Sequence, residues 1–130
     1  MGSSAKVLVV DDNNDDVELV CRILQPAGYA VSSASDARLG LDLAGKERFD
    51  VVLLDNRFIN SPVVGISAVS EFAAKVPGGV VMITAFGDEE LEKDAKMLGA
   101  SAYLPKPLDS DQLLKTVAGL VAQRPPAPAF

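Results

Sequence analysis

Three runs of four apolar residues punctuate the chain: VLVV at 7–10, VVLL at 51–54 and VVMI at 80–83. None alternates with polar residues, and β-branched side chains dominate, which is the pattern of strands buried on both faces of a parallel sheet. Two weaker runs, YAVS at 29–32 and AYL at 102–104, bring the predicted strands to five. Between the runs the apolar spacing becomes helical. Val17, Val20, Leu24 and Ala27 follow the first strand, Ala37, Leu41 and Ala44 the second, and Leu91, Ala95 and Leu98 the fourth. Leu113, Leu114, Val117, Leu120 and Val121 follow the fifth. Steps of three and four lay each set along one helix face. The segment after the third strand predicts a less regular helix over about 66–76.

Breakers agree with these boundaries. Pro26-Ala-Gly28 and Leu98-Gly99 close helices, and Pro77-Gly-Gly79 separates a helix from a strand. Strict alternation of strand and helix with short links means parallel strands, right-handed crossovers and helices on both faces. The fold class is therefore α/β, a doubly wound five-stranded parallel sheet. The 130 residues, 48% hydrophobic, suit one domain over 5–122 with a Pro-rich tail or linker start at 123–130.

Composition narrows the chemistry. No stretch approaches the roughly 20 apolar residues that span a bilayer, and the N-terminus lacks the features of a secretory signal, so a cytoplasmic protein with no membrane contact is expected. A lone Cys21 excludes an internal disulfide, and with no histidine there is little to hold zinc. Any metal would have to be held by oxygen. A net charge of −6 without a basic cluster argues against direct nucleic-acid binding and favours a partner protein or a small anion.

Open parallel sheets collect functional groups beyond the carboxyl ends of their strands, where the strand order reverses. There the chain places Asp11 and Asp12 after the first strand, Asp55 after the third, Thr84 after the fourth and Lys106 after the fifth. Singly, each has a plain reading: a helix-capping carboxylate, a turn residue, a satisfied hydroxyl, a solvated cation. Asp15 and Asp16 keep that reading, as charges worth roughly 0.3–1 kcal/mol each at a helix N-terminus. For the other five the joint placement counts against it. Carboxylates from neighbouring strand ends repel unless a cation lies between them, and a hard divalent ion served by a few carboxylates and several waters is Mg2+. A metal, an ammonium and a hydroxyl around one carboxylate suit attack of that carboxylate on phosphorus, giving an acyl phosphate.

With VVDD at 9–12, LLD at 53–55, ITA at 83–85 and LPKP at 104–107 in that order, residues 6–122 resemble the receiver domain of two-component response regulators. The chemotaxis protein CheY is a member of that family. The resemblance implies strand order 2-1-3-4-5 and Asp55 as the phosphoacceptor. Mg2+ would be held by Asp11, Asp12, Asp55 and the backbone carbonyl of Arg57, and phosphoryl oxygens by Thr84 and Lys106. The donor phosphohistidine would come from a sensor histidine kinase or a histidine phosphotransfer protein, since this chain has no histidine. Such a domain catalyses only its own phosphorylation and dephosphorylation and is otherwise no enzyme.

In the family the signal leaves when the threonine moves toward the phosphoryl group and an aromatic on strand five, here Tyr103, changes rotamer. The surface of the fourth predicted helix, strand five and the last helix, roughly 87–122, would then be read by an effector protein or an attached output domain. A half-buried Tyr103 that never moves is an equal reading. The family's frequent cis bond after its lysine makes a cis Lys106–Pro107 bond an expectation of the resemblance alone, since only about 5–6% of such bonds are cis.

The chain also departs from the family. Many relatives carry a Met-Pro pair soon after the phosphoacceptor, whereas here Pro62 and Gly65 stand seven and ten residues after Asp55, which makes the loop longer. Arg57 and Phe86, each two residues past a site residue, occupy positions that in the family tune how fast water removes the phosphoryl group. Both are expected to hinder that water and lengthen the phosphorylated lifetime. Two rival functions stand beside this one. A phosphohydrolase of the haloacid-dehalogenase type would need an aspartate where Arg57 stands, and a receiver-like interaction module that is never phosphorylated draws support from the long loop alone. A dinucleotide-binding fold is disfavoured because Asp-Asp, not a glycine-rich turn, follows strand one.

Overall fold

A computed structural model describes residues 5–55, 62–76, 78–84, 93, 96–97 and 99–123, with 62–67, 84 and 123 described in their backbone alone. Five strands, β1 (Lys6–Val10), β2 (Ala30–Ala34), β3 (Val51–Asp55), β4 (Val80–Thr84) and β5 (Ala100–Pro105), form one sheet in the order β2-β1-β3-β4-β5, every pair parallel. This is the doubly wound arrangement that the alternation of patterns predicts.

The uninterrupted apolar runs are explained by what covers them. Leu8, Val10, Val52, Leu54, Val80 and Met82 point to one face, where they pack with Ala68, Val69 and Phe72 of helix α3 (Pro62–Lys75) and Ala37 of α2 (Ala37–Lys46). Their sequence neighbours Val7, Val9, Val51, Leu53, Val81 and Ile83 point to the other, against Val20 and Leu24 of α1 (Asn14–Leu24) and Leu113 and Val117 of α4 (Ser110–Gln123). A period of two with both sets buried leaves no polar position in the run. None of the described helices is long and apolar enough to cross a membrane.

Local chemistry sets the ends. Asn13 caps α1 by accepting the Asp15 and Asp16 N–H groups at 2.9 and 3.1 Å, and Asp36 caps α2 from the Leu39 N–H at 2.8 Å. The α-helix of α1 stops at Leu24, short of the Ala27 that the apolar spacing includes, because Pro26 cannot continue it; residues 25–27 form a 3-10 turn that Gly28 closes at φ 101°. Helix α3 starts four residues ahead of the predicted 66, at Pro62, a residue that suits a first turn where the missing N–H is no loss. Strand β5 starts two residues ahead of the predicted Ala102, because a register shift against β4 absorbs Ser101 between Ala100 and Ala102. Gly79, at φ 120°, enters β4 beside that shift, and a β-carbon there would run into the Ser101 side chain.

The fourth predicted helix falls almost wholly outside the described residues, although Lys93, Lys96 and Met97 are helical. The tail at 124–130 and the loop at 56–61 also lie outside them.

Candidate functional site

The strand order reverses at β1, with β2 on one side and β3 on the other, and this opens the crevice in which the acidic residues meet. Val10 stands opposite Leu54, so Asp11 and Asp55 come next at the same edge of neighbouring strands. Asp11 is 7% exposed and Asp55 3%, while Asp12 is exposed. Asp11 is fixed by its own backbone, which donates to the Ala34 carbonyl at 3.0 Å, and by its Oδ1, which accepts the Asn13 N–H at 2.8 Å. One oxygen from each of Asp11, Asp12 and Asp55 lies within 4.8 Å of the others.

Lys106 enters from the end of β5, and its bond to Pro107 is cis, as the resemblance implies. Its Nζ reaches three carboxylates: Asp16 Oδ2 at 2.7 Å, Asp55 Oδ2 at 3.3 Å and Asp11 Oδ2 at 3.4 Å. Burial alone would favour the neutral amine. The hydrogen bond to Asp16 and the charges of Asp55 and Asp11 outweigh it and push the lysine above its ordinary value, so it remains an ammonium. Asp11 is pushed up to about 6, first by burial and then by the Asp55 carboxylate, against the pull of the Asn13 N–H and Lys106. Among the described residues one ammonium lies among these like charges, and a further cation would offset their repulsion. Three convergent carboxylates, with neither nitrogen nor sulfur, fit a hard divalent ion such as Mg2+.

Thr84 ends β4 opposite Pro105, which puts its backbone at the same edge. Its side chain lies outside the described part of the molecule, as do Arg57, Phe86 and the long loop. Tyr103 sits beside Met82 in the sheet, half-buried against the α2–α3 core, and its hydroxyl is buried with no hydrogen-bond partner among the described residues.

Asp16 corrects the sequence reading. It stands on the first turn of α1, where a plain helix-end charge was expected, but its carboxylate makes the shortest contact to Lys106. The signal lay in the spacing: Asp16, Val20 and Leu24 form one i, i+4 row, and the latter two are buried. A carboxylate on the core-facing row of a helix needs a cation.

This geometry defines a class of protein, a doubly wound α/β domain with an acidic cluster and an ammonium at its switch point. Comparison gives the family: the chain belongs to the response regulator receiver domain family, whose sequence profile matches residues 7–118. It is 34% identical over 117 residues to the transcriptional regulatory protein ZraR of Escherichia coli, covering 89% of this chain and 26% of ZraR. The chain thus spans about a quarter of that relative's length. It is 32% identical over 121 residues to the protein PilH of Pseudomonas aeruginosa, covering 91% of this chain and 98% of PilH. A Burkholderia pseudomallei response regulator, whose crystal structure holds a phosphorylated aspartic acid, a calcium ion and citrate, superposes with a TM-score of 0.80 at 26% identity, covering 92% of this chain and 70% of that one.

Proposed function

We propose that this receiver domain accepts a phosphoryl group on Asp55 from the phosphohistidine of a sensor histidine kinase or histidine phosphotransfer protein. The observation that carries the reading is the meeting of three carboxylates with one ammonium at the switch point, Lys106 Nζ lying 3.3 Å from Asp55 Oδ2. An Asp55 oxygen attacks phosphorus, the bond from phosphorus to the donor imidazole nitrogen breaks, and that nitrogen keeps the electron pair. In this reading Lys106 would donate to one phosphoryl oxygen and Thr84 to another. Asp11, Asp12, Asp55 and the Arg57 carbonyl would hold Mg2+, which when bound offsets charge on the phosphoryl oxygens. The phosphorylated aspartic acid of the Burkholderia relative supports the reading.

The readout is a shift of Thr84 and Tyr103 that alters the surface around residues 87–122. Its reader is an effector protein or an attached output domain. PilH, matched over nearly its whole length, and ZraR, matched over a quarter, are consistent with either arrangement. A cytoplasmic location, where such donors work, belongs to the same proposal.

Intact mass after incubation with acetyl phosphate tests it. The reading requires a gain of one phosphoryl group that depends on Mg2+ and is lost in Asp55→Asn. No gain, even with rapid quenching and a histidine phosphodonor, would leave the interaction module as the function.

A further inference from the structure

Among the described residues, the closest partner of the Lys106 ammonium is neither the proposed acceptor nor a proposed metal ligand but Asp16, which accepts its hydrogen bond at 2.7 Å, against ion-pair distances of 3.3 Å to Asp55 and 3.4 Å to Asp11. We infer that Asp16 is a positioning residue that holds Lys106 in the unphosphorylated state and competes with the phosphoryl group for it. The inference rests on the receiver reading of Asp55.

The geometry sets the competition. The ammonium is mostly buried, its side chain 12% exposed, and so has few alternative partners in water. Asp16 is 26% exposed, so its carboxylate can be rehydrated when the lysine leaves. Asp11 and Asp55, at 6% and 3%, cannot be rehydrated in that way. Of the three anions around Lys106, Asp16 is the one whose release costs least. Its backbone is anchored independently, because the Asp16 N–H donates to the capping Asn13 at 3.1 Å. A phosphoryl group on Asp55 adds strong acceptors beside the ammonium, which then exchanges Asp16 for a phosphoryl oxygen. The Asp16 contact therefore stabilises the resting state and taxes the phosphorylated one.

Beryllium trifluoride, which mimics a phosphoryl group on a carboxylate, measures the tax at saturating Mg2+ without turnover. Asp16→Asn preserves shape and the position on α1 but removes the charge. Its affinity for the mimic is expected to rise roughly three- to tenfold, the size of a partly screened ion pair. Asp15→Asn removes the same charge one residue away on an exposed side chain and controls for the general field; it is expected to change affinity less than twofold. In a Lys106→Met background the Asp16→Asn gain is expected to vanish, which a charge acting only through space or a folding effect would not produce. Equal gains in the two asparagine variants, a loss of affinity in Asp16→Asn, or a gain that survives Lys106→Met would each overturn the inference while leaving the receiver reading intact. Failure of the unmutated protein to bind the mimic would overturn the receiver reading, and this inference with it.

Discussion

Asp11 and Asp55 bring carboxylate oxygens within 4.8 Å of each other at the open edge of the β1–β3 pair, both of them buried. Metal-free protein therefore carries a built-in penalty at neutral pH. The Asp11 carboxyl is raised from 3.8 to about 6, chiefly by burial and then by Asp55, so the folded chain holds its proton more tightly than the unfolded chain does. The penalty is complete above about pH 6, fades as pH falls, and is gone below about 4, so this group makes the fold more stable toward acid.

The size follows from the shift: up to about 3 kcal/mol at pH 7, at roughly 1.4 kcal/mol per pH unit. Asp11→Asn keeps an acceptor for the Asn13 N–H and removes the charge. In urea denaturation with a chelator, it is expected to be more stable than the unmutated protein by about 1–3 kcal/mol at pH 7 and equal to it near pH 4. A gap independent of pH would show that Asp11 titrates normally.

Metal binding should work against that ranking, because it favours the unmutated carboxylates. Asp11→Asn and Asp12→Asn each lose a carboxylate from the proposed Mg2+ set, so their Mg2+ affinity is expected to fall at least about tenfold, by the standards of altered metal sites. Titration calorimetry at pH 7.5 would measure it. Affinity unchanged in both variants would exclude this cluster as the metal site.

Glycine packing offers a stability test that involves none of the charged site residues. A β-carbon at Gly40 on α2 would stand 2.8 Å from Val10 Cγ2 and 3.0 Å from Phe72 Cζ, both side chains fully buried. At Gly119 on α4 it would meet nothing within 4 Å. Gly119→Ala is expected to stabilise by about 0.5–1 kcal/mol through helix propensity, whereas in Gly40→Ala overpacking of about 1–3 kcal/mol outweighs the same gain. Chemical denaturation of the two variants should give opposite signs.

The buried hydroxyl of Tyr103 has no hydrogen-bond partner among the described residues. Tyr103→Phe removes an unsatisfied group and keeps the ring, so unphosphorylated protein is expected to gain up to about 1 kcal/mol. A loss above about 1 kcal/mol would show that the hydroxyl is satisfied in solution.

Arg57 and Phe86 carry the proposed control of lifetime. Replacing each by alanine is expected to speed loss of the phosphoryl group, measured as decay of the phosphorylated mass. If both leave the rate unchanged, neither shields Asp55 from water.

What the sequence determined by itself is whatever depends on short-range pattern. The runs at 7–10, 51–54 and 80–83 read as doubly buried strands because a parallel sheet covered on both faces admits no polar alternation. From that, the carboxyl-end positions of Asp11, Asp12, Asp55 and Lys106 followed, and the structure brings these four together. Element ends were less legible: Pro26 stops α1 short of its apolar pattern, α3 starts at Pro62 ahead of its own, and a register shift at Ser101 lengthens β5. Asp16 needed the tertiary structure, although its row with Val20 and Leu24 hinted at a buried partner. Its partner Lys106 lies 90 residues away along the chain, and only closure of the sheet decides which of several carboxylates receives the shortest bond. Spacing along a chain reports which face a residue occupies, whereas the sharing of one ammonium among three anions depends on distances of a few tenths of an ångström. Packing sets those distances.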